Sequence, residues 1–482
     1  MKLLPPLFFR ADGNTQIGLG HTTRCLALAD MLRQEFDCIF LVQNPTPAVK
    51  AQIETNFKLL VLPQTEDFLE EARFLVQQVL KKEQVIVLDH YQIQTEYQKI
   101  LKAAGLKVVC IDDMHAWHFV ADVVINHAGG VSEKEYSCEP YTKLCLGLDY
   151  ALLRRPFLEA AQKLAAEGGR KIEKIEKVLI CFGGSDIHNL SLQAAKATWE
   201  SPKFKEIHVV LGSAFAFYQD LRTFVEDKPA IYLHQNLSAQ AMCDLMLHCH
   251  LAIVPASGIA YEVTATGMYM ITGWYAENQK AMYRFLSKNK LGLGLGHFEK
   301  FENINLSIDL AKQVYTPSKN LFEGIIKRFR EVFYGMMIQL RKANIDDMKL
   351  YFDWVNDIEV RQNSINTEPI AWENHQRWFL NKLQSEETKF YVFEIESNPI
   401  GQLRIDFEDN FGLIDYSVDT QYRGLGLGKL MVKNALEELK MSNKSIQLKA
   451  QVKKTNIASF KVFEQLGFTL EEQENELFTF FK

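Results

Sequence analysis

Short apolar runs of four or five residues, rich in valine and isoleucine, recur through the first part of the chain: CIFLV (38–42), VIVLD (85–89), KVVCI (107–111) and VVIN (123–126). A strand that is apolar on both faces must be covered on both, and helices returning over a parallel sheet provide that cover. The spacing leaves room for such helices, so the runs predict an α/β layer. The pattern pauses near 160 in AAQKLAAEGGRKIEKIEK, which is small, polar and charged and reads as a domain linker. It restarts with KVLICFGGSD (177–186), IHVVLG (207–212), IYLH (231–234) and HLAIVPAS (250–257). Two tandem doubly wound units facing one cleft are therefore expected, over 1–160 and 170–330.

Residues 301–335 read as helical, and beyond them the pattern changes. MIQLRKA, KFYVFEIESNPIGQLRIDF and GLIDYSVD alternate in the manner of antiparallel strands, with SNPIG supplying turn residues between two of them. A third, α+β domain is expected over 336–482. A length of 482 residues is more than one core usually supports and accommodates three domains.

Composition excludes several classes. With 47% apolar and 24% charged residues the chain is not disordered, and a net charge of -6 leaves no overall basic footprint for nucleic acid. No apolar run approaches the roughly 18–20 residues that span a bilayer. The opening MKLLPPLFFRAD has two prolines and an acid, a poor secretory signal. The eight cysteines are scattered singly without CxxC spacing, so reduced thiols in a soluble, cytoplasmic protein with no metal are expected.

FFRADGNTQIGLGHTTRCLALADML reads as a strand, a glycine loop and an amphipathic helix. Gly18 and Gly20 let a ligand approach the backbone, and the free amides at the helix start favour an anion. CFGGSD repeats the strand-to-glycine arrangement in the second unit, offering the amides of Gly183, Gly184 and Ser185 to the same cleft. In PASGIAYE (255–262) the amides of Ser257 and Gly258 are placed to hold phosphate, and Glu262 to accept hydrogen bonds from ribose hydroxyls.

On these residues the first 330 or so positions resemble the hydrolases that release UDP from UDP-2,4-diacetamido-2,4,6-trideoxy-β-L-altropyranose in pseudaminic acid biosynthesis, relatives of the GT-B glycosyltransferases. The matching segments are FRAD, IGLGHTTR, VLDHY, IDD, GLDYALLR, FGGSD, SGIAYE and ENQ, in family order. The resemblance implies a GT-B arrangement of the two Rossmann-like domains and metal-independent hydrolysis at the anomeric carbon. It places the catalytic histidine at His21, where a neutral imidazole takes a proton from the attacking water. The positive end of the helix would disfavour imidazolium. Asp12 is the candidate to orient the imidazole or the water; Arg24, Tyr91, Asn278 and Gln279 match positions that bind the UDP-sugar.

LIDYSVDTQYRGLGLGKLMVKNALEEL (413–439) is a strand, a Q-x-x-G-x-G loop and a helix. A dinucleotide fingerprint uses similar glycines but needs a βαβ setting, which the antiparallel pattern opposes. The segment resembles the GNAT acetyltransferases over about 147 residues. That resemblance implies an acetyl-CoA pyrophosphate loop at Gln421, Arg423, Gly424, Gly426, Gly428 and Lys429. It also implies a coenzyme A contact from Asn456 and a splayed strand at Val418 that polarises the thioester carbonyl. YFDWVNDIEVRQNS and ENHQRWF resemble the branch that acetylates the 4-amino group of UDP-linked amino sugars, making Trp354, Asn356 and His375 acceptor-site candidates. Phe463 stands where the family often has the tyrosine that protonates the leaving thiolate, so no general acid is assigned.

Together the two resemblances imply a bifunctional enzyme whose partners are UDP-linked amino sugars and acetyl-CoA. Two alternatives stay open. The first two domains are a GT-B glycosyltransferase, or the chain is a nucleotide-sugar sensor whose last domain binds coenzyme A without turnover.

Overall fold

The computed structural model describes residues 4–13, 19–184, 186–212, 214–298, 304–314, 321–408, 411–441, 446–474 and 476–482. They form two compact units, Met1–Arg328 and Phe329–Lys482.

Among the described residues the first unit contains, besides a two-stranded sheet of His118–Phe119 and Ser137–Cys138, two large parallel sheets. One comprises β1 (Pro6–Ala11), β2 (Asp37–Gln43), β3 (Lys58–Leu62), β4 (Val85–Asp89), β5 (Lys107–Ile111), β6 (Val123–Asn126) and β7 (Lys143–Leu146), in the order β3-β2-β1-β4-β5-β6-β7. The other comprises β8 (Lys177–Ile180), β9 (Glu206–Leu211), β10 (Ile231–Gln235), β11 (Leu251–Pro255), β12 (Tyr269–Trp274) and β13 (Leu293–His297), in the order β10-β9-β8-β11-β12-β13. Both orders reverse beside their first strand, and ligands of doubly wound sheets bind beyond the strand ends at that reversal. In the first sheet it lies between β1 and β4, where Ala11 pairs with Asp89.

Every residue of β4 is buried, as expected for a central strand covered on both faces. Phe9 of β1 stacks on Phe40 of β2 with ring centroids 5.0 Å apart. Burying a side chain of this size stabilises the fold by roughly 1.5–3 kcal/mol.

Helix α1 (Gly20–Leu32) follows β1, and α2 (Phe68–Phe74) follows β3. The first part of the segment expected as a linker near 160 is instead the second half of helix α3 (Arg155–Ala166). Its Phe157, Ala160 and Ala161 are buried, and it packs on α4 (Ala239–His248) and α5 (Gly258–Ala265). Apolar residues at 157, 160, 161 and 164 form one helical face, a signal masked by the charged residues that follow.

The second unit is built on a mixed sheet: β14 (Gln339–Lys342), β15 (Thr388–Ile395), β16 (Asn398–Glu408), β17 (Phe411–Val418), β18 (Gln447–Lys453), β19 (Thr469–Glu474) and β20 (Leu477–Phe481). The order is β14-β15-β16-β17-β18-β20-β19. Its parallel pair, β17 and β18, is joined only from Phe411 to Leu413, so β17 runs on from Ile414 to Val418 without pairing to β18. Helices α6 (Leu427–Met441) and α7 (Ile457–Gln465) follow these two strands. The turn between β15 and β16 lies at Glu396 and Ser397, both at positive φ (48° and 62°), rather than over SNPIG. Ile395 pairs with Asn398, so Asn398 and Pro399 already belong to the strand. Two positive φ values in a two-residue loop match the twist of the flanking strands, and that requirement overrode the usual Asn and Gly preference.

Candidate functional site

The sites are built where the chain leaves strands. His21 lies in the first turn of α1, nearly buried at 4% exposure. Its Nδ1 is 2.6 Å from Oδ1 of Asp89, the last residue of β4. A carboxylate this close favours a proton on Nδ1, although Arg24 Nη2 also lies 3.1 Å from that atom; in the neutral imidazole this tautomer leaves the lone pair on Nε2. Arg24, one turn along α1, donates from Nε and Nη2 to Asp89 (3.0 and 2.8 Å) and from Nη1 to Oδ2 of Asp113 (2.6 Å). Burial alone raises Asp89, but Arg24 and then His21 outweigh it and hold the carboxyl below its ordinary value. The dyad therefore keeps its anion at neutral pH.

Tyr91 sets its ring edge to His21 at 4.5 Å, and His90 stacks at 6.1 Å. Burial, then Arg10, depresses His90 to about 4. Thr22 Oγ1 and Asp113 Oδ1 are buried without hydrogen-bond partners. Buried polar atoms are ordinarily satisfied, so these two are suited to a polar ligand.

Asp12 does not reach His21. Both its oxygens are taken by Arg10 (2.6 and 2.8 Å), and Oδ1 also accepts from the amide of Gln43 (2.8 Å). Arg10, fully buried, donates in addition to both oxygens of Glu71 on α2 (2.8 Å each). Glu71 accepts from Tyr97 Oη (2.8 Å) and Gln43 Nε2 as well. Asp12 thus belongs to a buried ion cluster, and Asp89 is the carboxylate that meets the imidazole. Asp89 and Asp113 stand in VLDHY and IDD; the available signal was an acid closing each buried strand run.

The second sheet brings its own loops. Gly183 has φ +87°, and Gly184 approaches the next strand's loop so closely that a Cβ on Gly212 would lie 2.2 Å from its oxygen. Asp186 caps the following helix through the amides of Leu190 and Ser191 (2.9 and 2.8 Å). Ser257 immediately precedes α5, and a Cβ on Gly258 would lie 3.4 Å from Cε1 of His127. Glu262 is paired bidentately with Arg154 (2.6 and 2.7 Å). A hydroxyl of a ligand would therefore share that carboxylate with a guanidinium, which the sequence did not foretell. Gln279 accepts from the amide of Tyr275 (3.0 Å), holding its own turn, and Asn278 is exposed. Gly18 and Ser185 lie outside the described residues, and Gly20 has nothing within 4 Å of a Cβ position.

His127 is buried behind α5, with Tyr261 Oη donating to its carbonyl (2.8 Å). Burial, then Arg24, depresses its imidazole to about 4. The unfolded chain takes up this proton near 6.5, so the unfolded state binds more protons between those values and stability falls as pH drops through the window. Between about pH 7 and about pH 5 the loss from this residue is about 2 kcal/mol. Urea unfolding at the two pH values measures it, and His127→Gln is expected to remove that share of the difference.

In the second unit, Gly424 and Gly426 have φ +77° and +79°, which turn the loop's amides toward the start of α6. Gly428 packs on Tyr416, whose ring a Cβ would meet at 2.9 Å. Lys429 lies 3.4 Å from Glu331, and the Gln421 amide donates to Asp419 (2.9 Å). The Arg423 side chain is turned away from the loop: it pairs with Asp357 (2.6 Å) and Glu359 (2.8 Å) and donates to the carbonyl of Val418 (3.1 Å). It braces the loop, leaving the amides to meet an anion. Asn456 caps α7 by accepting from the amide of Ser459 (3.0 Å).

The three acceptor candidates are engaged in packing. Trp354 is 5% exposed and donates to Asp419 (2.8 Å). Asn356 exchanges two hydrogen bonds with the backbone of Ile370 (3.1 and 2.8 Å). His375, 1% exposed, lies among Phe352, Trp372, Trp378 and Phe379, with Nε2 bonded to the carbonyl of Met348 (3.0 Å). Helical periodicity could not separate an inward core face from an inward site face. All eight cysteines are free, and no described helix is long and apolar enough to cross a membrane.

Residues 338–469 match the acetyltransferase (GNAT) domain model. Over 301 residues, 60% of this chain and 97% of the relative, the chain is 27% identical to the UDP-2,4-diacetamido-2,4,6-trideoxy-beta-L-altropyranose hydrolase of Campylobacter jejuni. Over 152 residues, 30% of this chain and 91% of the relative, it is 30% identical to the acetyltransferase PseH of the same species. An uncharacterized protein of Methanocaldococcus jannaschii matches 96% of this chain over 97% of its own length, at 24% identity, and so spans both regions in one polypeptide. The chain is thus a fusion of a UDP-sugar hydrolase-like region with an acetyltransferase region, and through the latter it belongs to the GNAT family.

Proposed function

We propose that the first unit hydrolyses UDP-2,4-diacetamido-2,4,6-trideoxy-β-L-altropyranose and that the second acetylates the 4-amino group of its UDP-linked precursor. The observation that carries the hydrolase half is the His21–Asp89 pair, set at the strand-order reversal of the first sheet with its contact made through Nδ1. Water attacks the anomeric carbon while Nε2 takes its proton, and the bond from that carbon to the diphosphate oxygen breaks, releasing UDP. Asp89 stabilises the imidazolium that forms, and Arg24 keeps Asp89 in place. The amides around Gly183 and Gly258 are suited to the leaving diphosphate. The match to a UDP-sugar hydrolase fits the GT-B arrangement of the two Rossmann-like layers that the sequence resemblance implies.

In the acetyltransferase half, the amine attacks the thioester carbonyl, the carbon–sulfur bond breaks and coenzyme A leaves as thiolate. The gap where β17 and β18 part is suited to the thioester arm, and the loop from Gly424 to Gly428 to the pyrophosphate. Phe463, 2% exposed beside Tyr416, Phe468 and Phe480, offers no proton. A thiol with a pKa of about 8.5 leaves readily as its anion. Phe463→Tyr is therefore expected to change thiol release, followed with a thiol-reactive chromophore, by less than about threefold.

The deciding experiment supplies purified chain with acetyl-CoA and the UDP-4-amino sugar, without any acceptor. Release of both free thiol and UDP is expected. UDP release only when an acceptor is added would favour a glycosyltransferase. The buried Phe463 favours a second reading, a sensor that binds coenzyme A without turnover; absence of thiol release under saturating substrate would establish that reading instead.

A further inference from the structure

A second polar cluster lies at the opposite end of the second sheet from the nucleotide loops. Those loops follow the carboxyl ends of β8 and β11, whereas Lys177 opens β8, Glu206 opens β9, His208 stands two residues on, and His248 closes α4. His248 Nε2 is 2.7 Å and His208 Nε2 3.2 Å from the same Glu206 oxygen, Oε2, and the three atoms all lie within 4.8 Å of one another. On the far side of its ring, His208 Nδ1 is 3.0 Å from Nε2 of His234.

The hydrogen bonds of this cluster do not close. His248 Nε2 also lies 2.9 Å from the ammonium of Lys177, which in turn pairs with Glu206 at 2.9 Å. One ring nitrogen either carries a proton for the carboxylate or a lone pair for the ammonium. Whichever it does, one of the two contacts is set against like: proton against ammonium, or lone pair against carboxylate. A cation accepting lone pairs from all three atoms removes the conflict.

We infer that Glu206, His208 and His248 form a binding site for a borderline divalent transition ion, Zn²⁺ foremost. Tetrahedral ligands at about 2.0–2.1 Å from zinc are about 3.3 Å apart; the two imidazole–carboxylate separations of 2.7 and 3.2 Å are near that spacing, and the two imidazole nitrogens lie within 4.8 Å of each other. Two imidazoles and one carboxylate select against the oxygen-seeking Mg²⁺ and Ca²⁺. His234 supplies the outer support that ligating histidines usually have, accepting from the Nδ1 proton of His208 and aiming Nε2 at the ion. His208 is buried and stacked on Tyr232, while His248 is exposed, giving the ion a path from solvent. Lys177 is the built-in competitor and must swing outward. The ion would tie the start of β9 to the end of α4, remote from His21, and takes no part in hydrolysis.

Titration calorimetry of the full chain with Zn²⁺, after chelator treatment and dialysis, tests the site. One ion per chain is expected, with a Kd of about 1 μM or tighter. His248→Ala, an exposed change compatible with folding, is expected to weaken binding at least tenfold, about 1.4 kcal/mol. His234→Phe is expected to weaken it about 10–100-fold, and Lys177→Met to tighten it. Saturable uptake that His248→Ala leaves unchanged, no saturable uptake at all, or no tightening in Lys177→Met would each overturn the assignment.

Discussion

Replacing His21 with alanine is expected to slow UDP release by about two to four orders of magnitude, the usual contribution of a positioned general base. Acetyl transfer by the second unit should be unaffected. Asp89→Asn should cost a similar factor for a different reason. The amide presents a donor as readily as an acceptor to Nδ1, so the proton can shift to Nε2 and the lone pair is lost from the water's side. The two effects should not add, because both changes disable one acid–base pair. UDP release from the diacetamido substrate, measured with a coupled nucleotide assay, checks both. Release by His21→Ala within about threefold of the unaltered protein would sink the assignment.

The largest effect on stability is expected at Arg10. Its guanidinium makes two bonds to Asp12 and two to Glu71, all at 2.6–2.8 Å and with no exposure. Burial on its own would favour loss of its proton, but the two carboxylates more than compensate and raise it further. Arg10→Met leaves two acids buried without their partner, at a cost of about 3–5 kcal/mol. Urea denaturation followed by circular dichroism measures this. Adding Asp12→Asn and Glu71→Gln should recover much of the loss, since a cluster neutralised as a whole does not strand a charge. If the triple variant were no more stable than Arg10→Met, the cost would lie in packing around the side chain.

Much of the fold was readable because buried parallel strands and alternating antiparallel ones leave different periods in the sequence. VIVLD and KVVCI became β4 and β5, and KFYVFEI became β15, within a residue or two. The helix at 155–166 was misread because its stripe of four apolar residues, three of them buried, runs into a charged segment with no helical period. The hairpin turn was placed late because the backbone accepted Glu396 and Ser397 in a conformation that Gly and Asn adopt more easily. Helix-face arguments likewise could not tell that His375 faces the core among aromatic rings.

Asp12 and Asp89 mark the limit of such reading most clearly. Asp12 is nine residues from His21 and Asp89 is 68, yet the partner of the imidazole is the distant one. That choice follows from sheet register: Ala11 pairs with Asp89, so the end of β4 reaches the start of α1, while Asp12 is turned to Arg10. The same holds for Arg423, whose two acidic partners lie more than sixty residues away. The sequence by itself determined the α/β layers, the α+β domain and the glycine turns at Gly424 and Gly426, since each is written in local spacing. Only the tertiary structure decided which charged group serves which. Strong hydrogen bonds act over about 3 Å, and which groups come that close depends on strand register, which no local pattern encodes.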